Sequence, residues 1–177
     1  MAQLQNILFR NHRQIGTDIQ GSAHAFRDRS TWEHGHPAHR ESQDRIQWVD
    51  PQTGYDCLLH RNGFGTWCGY VGVSKDHSLH GLTYWDLGDL SIYLSVHGGI
   101  TYTEECTAIQ PDGSGICHPT DGEDHIWWIG FDCNHSGDNA PLESVRFGPG
   151  VDAYKSSAYA IEQTHSLAEQ VAELASA

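Results

Sequence analysis

Ile126-Trp127-Trp128-Ile129-Gly130-Phe131 is the stretch on which the fold turns. Its apolar run reads as a buried central strand, with the two tryptophans pointing to opposite faces because side chains alternate along a strand. A polar exit follows at once, Asp132-Cys133-Asn134-His135-Ser136-Gly137-Asp138, which packs acid, thiol and imidazole groups into seven residues.

Working outward, residues 90–96 (Leu-Ser-Ile-Tyr-Leu-Ser-Val) alternate apolar and polar and predict another strand. His97 continues its polar parity with Tyr93 and Ser95, and Gly98-Gly99 allows a sharp turn into a short strand over residues 100–103. Residues 46–50, 55–60 and 67–73 also read as strands, the last two joined across the Asn62-Gly63 turn signal. Gly69 and Gly72 in the last of these point to a close approach by another backbone or to a bulge. Residues 4–9 open a strand or a helical turn. After Gly148-Pro149-Gly150, Asp152 is a candidate cap for a long helix over 153–175, whose Ala160, Thr164, Leu167, Val171 and Leu174 share one face. The pattern predicts one α+β domain over residues 1–177: a mainly antiparallel, twisted sheet packed against the long C-terminal helix. Residues 11–44 form a polar, His-rich excursion or lid within it, and its His34, His36 and His39 have chelating potential.

The chain of 177 residues carries a formal charge of −13, and residues 51–177 supply the whole excess, four basic side chains against seventeen acidic. Such a surface repels a nucleic-acid backbone and favours cations, basic ligands or plain solubility. No run reaches the roughly 20 apolar residues of a membrane span. The five cysteines lack a CxxC pair, and the first residues lack the charge and apolar pattern of a secretory signal, so the expected compartment is a reducing cytoplasm with thiols free or metal-bound.

The exit loop carries the chemistry. Asp132, His135 and Asp138 offer two hard oxygens and a nitrogen at three-residue spacing, and His97 is the natural distant fourth ligand. Zn²⁺ or Mn²⁺ held there would activate water, with Cys133 able to replace a carboxylate around zinc. Glu104, with His97, would then move the proton or orient the water, Trp85 and Trp128 would wall the pocket, and Arg61 or Arg146 would receive an anionic substrate. Cys106 or Cys133 beside a histidine, or Asp86 and Asp89 with Glu104 or Glu105 as a sugar-cleaving pair, are weaker arrangements because nothing local marks a nucleophile or fixes a carboxylate separation. Phosphate-loop and dinucleotide fingerprints are absent.

Residues 67–73 (Trp-Cys-Gly-Tyr-Val-Gly-Val) with His77, then His97-Gly98-Gly99-Ile100-Thr101-Tyr102, then the segment from Gly130 to Asp138, resemble a family of small uncharacterised proteins of bacteriophages and some bacteria. The resemblance covers roughly residues 55–174. It carries no catalytic assignment, and it implies action inside a bacterial host's cytoplasm, in nucleotide metabolism or against host defence. The leading expectation is thus a metal-assisted hydrolase of a small polar or phosphorylated metabolite. Its rivals are a noncatalytic protein that binds or sequesters a nucleotide-like ligand, and a structural protein that meets a host protein or forms a homo-oligomer.

Overall fold

The computed structural model describes residues 2–3, 20–24, 28–107, 115–116, 125–142 and 153–175, the first two segments by backbone pairing alone. The described strands are β1 (Ala2–Gln3), β2 (Gln20–His24), β3 (Arg45–Val49), β4 (Asp56–Arg61), β5 (Trp67–Val73), β6 (Tyr102–Glu105) and β7 (Trp127–Asp132). They form one antiparallel sheet in the order β1-β2-β3-β4-β5-β7-β6. A short helix α1 (Tyr84–Asp89) and the long α2 (Ser157–Leu174) complete the described elements, with a single 3₁₀ turn at Pro37–Arg40. The fold is the α+β arrangement that the pattern predicts, and β7 does run inside the sheet, between β5 and β6.

The two-residue period sorts the sheet into two faces. Ile46, Trp48, Cys57, Leu59, Trp67, Val71, Val73, Ile129 and Phe131 face α2, which meets them with Ala160, Ile161, Leu167, Ala168 and Val171. Each large aliphatic side chain fully buried there contributes about 1.5–3 kcal/mol. Leu58, Cys68, Tyr70, Ile116 and Trp128 form a second cluster from strand residues of the other parity. Gly69 explains how close α2 comes: a Cβ built on it would lie 2.3 Å from Thr164 Oγ1 and 2.5 Å from Phe131 Cε1. The close neighbours are therefore side chains, Thr164 of α2 and Phe131 of β7, rather than a backbone.

Several expectations need correction. Residues 90–96 are not a strand of the sheet, although their burial alternates: Tyr93 and Ser95 are exposed and Leu94 is buried. The alternation reports a segment with one apolar side on the core; none of the described strands lies beside it, and its hydrogen-bonding neighbour is α2. The helix starts at Ser157 rather than 153, because Ser156 supplies the capping hydroxyl to Tyr159 N–H at 3.3 Å. Upstream, Ala153 is tied to the exit loop through its N–H to Gly137 O (2.9 Å) and its carbonyl to Asn139 N–H (3.2 Å). Asp152 and residues 4–9 lie outside the described residues.

The described part of the His-rich excursion is packed rather than free. Trp32, His36, Ala38 and Asp44 are buried, and His36 Nδ1 accepts the Ala38 N–H (3.1 Å), so its ring caps the 3₁₀ turn. His39 is bonded to Glu33 O at 3.2 Å and lies edge-on to Trp32. The expectation of five reduced thiols also fails. Cys106 is disulfide-bonded, which removes the argument for a reducing compartment. Cys57, Cys68 and Cys133 are buried thiols outside any disulfide, and Cys117 lies outside the described residues. No helix among the described residues is long and apolar enough to cross a membrane.

Two histidines give the fold a pH dependence. Burial lowers the His36 and His77 rings below their ordinary range; His77 reaches α2, where it bonds Val171 O at 3.2 Å. The unfolded chain therefore takes up these protons first as pH falls through about 6.5, and stability present above that pH is lost below it. Urea midpoints at pH 7.5 and 5.5 are expected to converge in a His36→Asn/His77→Asn variant relative to the parent. An unchanged gap between the two pH values would show that other groups set it.

Candidate functional site

The register of the last two strands builds the polar site. Tyr102 pairs with Gly130, and Thr101 N–H reaches Gly130 O at 2.9 Å, so the chain before β6 runs back along the exit of β7. His97 and Gly98 are thereby set beside His135. The His97 and His135 ring centroids are 5.4 Å apart. A Cβ on Gly98, whose φ is +68°, would fall 1.8 Å from His135 Nε2, so only glycine fits beneath that ring.

Asp138 is the hub, 2% exposed. Its Oδ2 accepts from His97 Nε2 and from the His135 backbone N–H, both at 2.8 Å, while Lys155 Nζ approaches Oδ1 at 3.7 Å. A carboxylate can only accept, so His97 Nε2 carries the hydrogen, and in the neutral ring Nδ1 accepts from Tyr159 OH at 3.0 Å. Burial, then the nearby Cys133, Asp138 and Glu162, push the Tyr159 hydroxyl pKa up, which keeps it a donor. The result is a directed chain, Tyr159 to His97 to Asp138. Tyr159 and Lys155 belong to this site although sequence reading missed them; their signal was position, three residues into a helix and just before it.

The four expected metal ligands are brought together, but as arranged they do not form a ligand set. Both His97 ring nitrogens are committed to protein partners, and Asp138 Oδ2 is shared between two donors. That leaves His135 Nε2, buried without a hydrogen bond, facing Asp132 Oδ1 at 3.7 Å. Asp132 also accepts the Asn134 N–H at 2.9 Å, which shapes the turn. No group of three or more His, Cys, Asp or Glu side chains able to hold a metal ion occurs among the described residues. Cys133 is buried, and burial drives its thiol pKa far above the usual range, which makes it a poor thiolate ligand or nucleophile.

The remaining candidates scatter. Glu104 is exposed and pairs with Trp128, four residues before Asp132 on β7. That separation is about 13 Å along the strand, too far for it to serve the same site. Trp128 is fully buried in the cluster with Tyr70 and Ile116 and takes no part in the lining of the cavity at Trp85. Arg61 is 0% exposed and held by Glu41, Asp44, Tyr154 and two backbone carbonyls, which removes it from any substrate. Arg146 lies outside the described residues.

Trp85 is the exception. It is 76% exposed and lines a cavity of about 640 Å³ between α1 and residues 92–100. Tyr84, also exposed, meets it edge-on at 5.3 Å, and Tyr93, 86% exposed, belongs to the same lining. Leu87, Ile92, Leu94, Val96 and Ile100 supply apolar walls continuous with the main core. Asp89 is the one charged residue of the lining. The wall is firmly anchored. Thr83 and Asp86 close a reciprocal capping box at the start of α1, with the Thr83 N–H donating to Asp86 Oδ2 at 2.8 Å. On the other side, α2 grips the segment with Gln163 and Gln170. No family model, curated protein or solved structure matches the chain, so its site is read from its own geometry.

Proposed function

We propose that this domain is a noncatalytic binding module whose aromatic-rimmed cavity takes a ligand with a flat apolar face and no negative charge. The cavity carries the reading. Its volume of about 640 Å³ sits within the roughly 300–1,000 Å³ of small-ligand sites. Trp85, Tyr84 and Tyr93 present rings to solvent at its rim, where an ordinary monomer surface would bury or scatter them. A phosphorylated or nucleotide ligand suits it poorly, because the lining offers Asp89 and no lysine or arginine. A cation suits it well, since ring faces and a carboxylate both attract positive charge.

A matched pair of probes tests this. Naphthylmethyltrimethylammonium is expected to shift the amide resonances of residues 84–100, and naphthalenesulfonate, with the same ring system and the opposite charge, is not. Trp85→Ala should weaken the cation about tenfold, in line with roughly 1–2 kcal/mol for a ring–cation contact. If neither probe perturbs these residues, the cavity is not a binding site.

A further inference from the structure

Among the described residues, 92–96 form a strand-like segment whose main hydrogen-bonding neighbour is α2. On one side α2 stands in for a paired strand: Ser95 N–H donates to Gln170 Oε1 at 2.6 Å, and Gln170 Nε2 returns a bond to Ser95 O at 3.0 Å. Two residues on, His97 N–H donates to Gln163 Oε1 at 2.8 Å. Residues 95 and 97 thus turn their backbone toward the helix. By the two-residue period, Leu94 and Val96 turn theirs the other way.

On that other side the edge is open. Among the described residues, neither the Leu94 N–H and C=O nor the Val96 N–H has a hydrogen-bond partner, while Val96 O accepts from Gly99 N–H at 3.1 Å and Ile92 N–H is used by Leu87 O at 2.9 Å. Leu94 is buried, and buried backbone groups are nearly always paired. The cavity runs along this edge. All five residues from Ile92 to Val96 line it, whereas a cavity over one face of an alternating segment would meet every second residue.

We propose that the occupant is an extended, basic segment of a partner protein, which lies in the cavity and pairs its backbone with Leu94 and Val96. The proposal rests on the binding reading above and names the ligand class. Strand addition of this kind draws affinity from main-chain hydrogen bonds and selectivity from alternate side chains. Here one set of side chains would enter the apolar wall formed by Leu87, Ile92 and Ile100. The other set would rise past Trp85 and Tyr93 toward Asp89, where lysine or arginine meets both ring faces and a carboxylate. A chain of net charge −13 also attracts a basic partner from a distance and repels a second copy of itself.

The test uses the full chain and a set of acetylated, amidated pentapeptides in which lysine alternates with one apolar residue (Leu, Ile, Phe or Trp), measured by titration calorimetry. At least one lysine peptide is expected to bind ten times more tightly than its glutamate counterpart and to compete with naphthylmethyltrimethylammonium. Methylating the backbone nitrogens of one alternate set should abolish binding, while methylating the other set should leave it unchanged. Asp89→Asn, an exposed change, should narrow the lysine-over-glutamate preference. Peptides that fail to bind while the small cation binds would overturn this inference and leave the cavity reading standing; failure of both ligands would remove both. Binding indifferent to either methylation pattern, or self-association through this segment seen by sedimentation, would equally overturn it.

Discussion

Arg61→Ala is expected to destabilise the fold by about 3–5 kcal/mol, as breaking a buried, hydrogen-bonded ion pair does. The guanidinium is fully buried between the Trp67 ring, 4.1 Å from its centroid, and the Trp32 ring, at 5.2 Å. It donates to Glu41, Tyr154 and the Gln43 and Gly65 carbonyls, and its Nε stands 3.3 Å from Asp44 Oδ1. Glu41 is the second centre. Its Oε2 also accepts from Trp67 Nε1 at 2.9 Å and from Tyr154 OH, while Oε1 takes the N–H and hydroxyl of Ser157 at 2.7 and 2.9 Å. A carboxylate thus sits on the first residue of α2, where free N–H groups and the helix dipole favour negative charge. Loss of Arg61 takes its cation away from Glu41 and from Asp44, which keeps Arg29 at 2.6 Å. Urea unfolding of Arg61→Ala checks the magnitude, and Arg61→Lys should recover only a minor part because one ammonium cannot span the same acceptors. A loss below 1 kcal/mol for Arg61→Ala would show that the network is not a structural centre.

Phe131→Ala is expected to cost about 3–5 kcal/mol, the usual toll of emptying a packed aromatic site. The ring is 1% exposed and covers the place where Gly69, its cross-strand partner, lacks a side chain. Gly69→Ala alone should cost about 1–3 kcal/mol by overpacking, because its new methyl group meets both Phe131 and Thr164. Together the two changes should cost less than their sum, since removing the ring relieves one of the two clashes. Strict additivity in denaturant unfolding would mean that Thr164 alone limits the approach of α2.

Much of the architecture was legible because it rests on local periodicity. Residues 67–73 and the apolar run into Phe131 are buried on both faces and bear their pattern openly, and the α2 stripe at Ala160, Thr164, Leu167 and Val171 is the buried face. Residues 90–96 show the limit of that method: alternation reports which side chains are buried, and says nothing about whether the backbone partner is a strand or a pair of glutamines seven residues apart on a helix. The meeting of His97, His135 and Asp138 could be anticipated from the turn at Gly98-Gly99. The commitments of His97 could not, because Tyr159 lies 62 residues downstream and is placed by the docking of α2. Arg61 misled for a related reason. A basic residue beside an Asn-Gly turn looks exposed, and its burial depends on Glu41, Trp32 and Trp67, which only the folded chain brings around it.

Among the described strands β6 bounds one side of the sheet with four residues, of which Glu104 and Glu105 are exposed and, as neighbours in a strand, point to opposite faces. A copy of the chain aligned along β6 would bring its own glutamates close to these in an antiparallel register, and like charges set opposite each other oppose pairing. Two adjacent carboxylates on so short a strand therefore act against end-on polymerisation, and the width of the sheet at this border is limited by electrostatics as well as by where the chain turns.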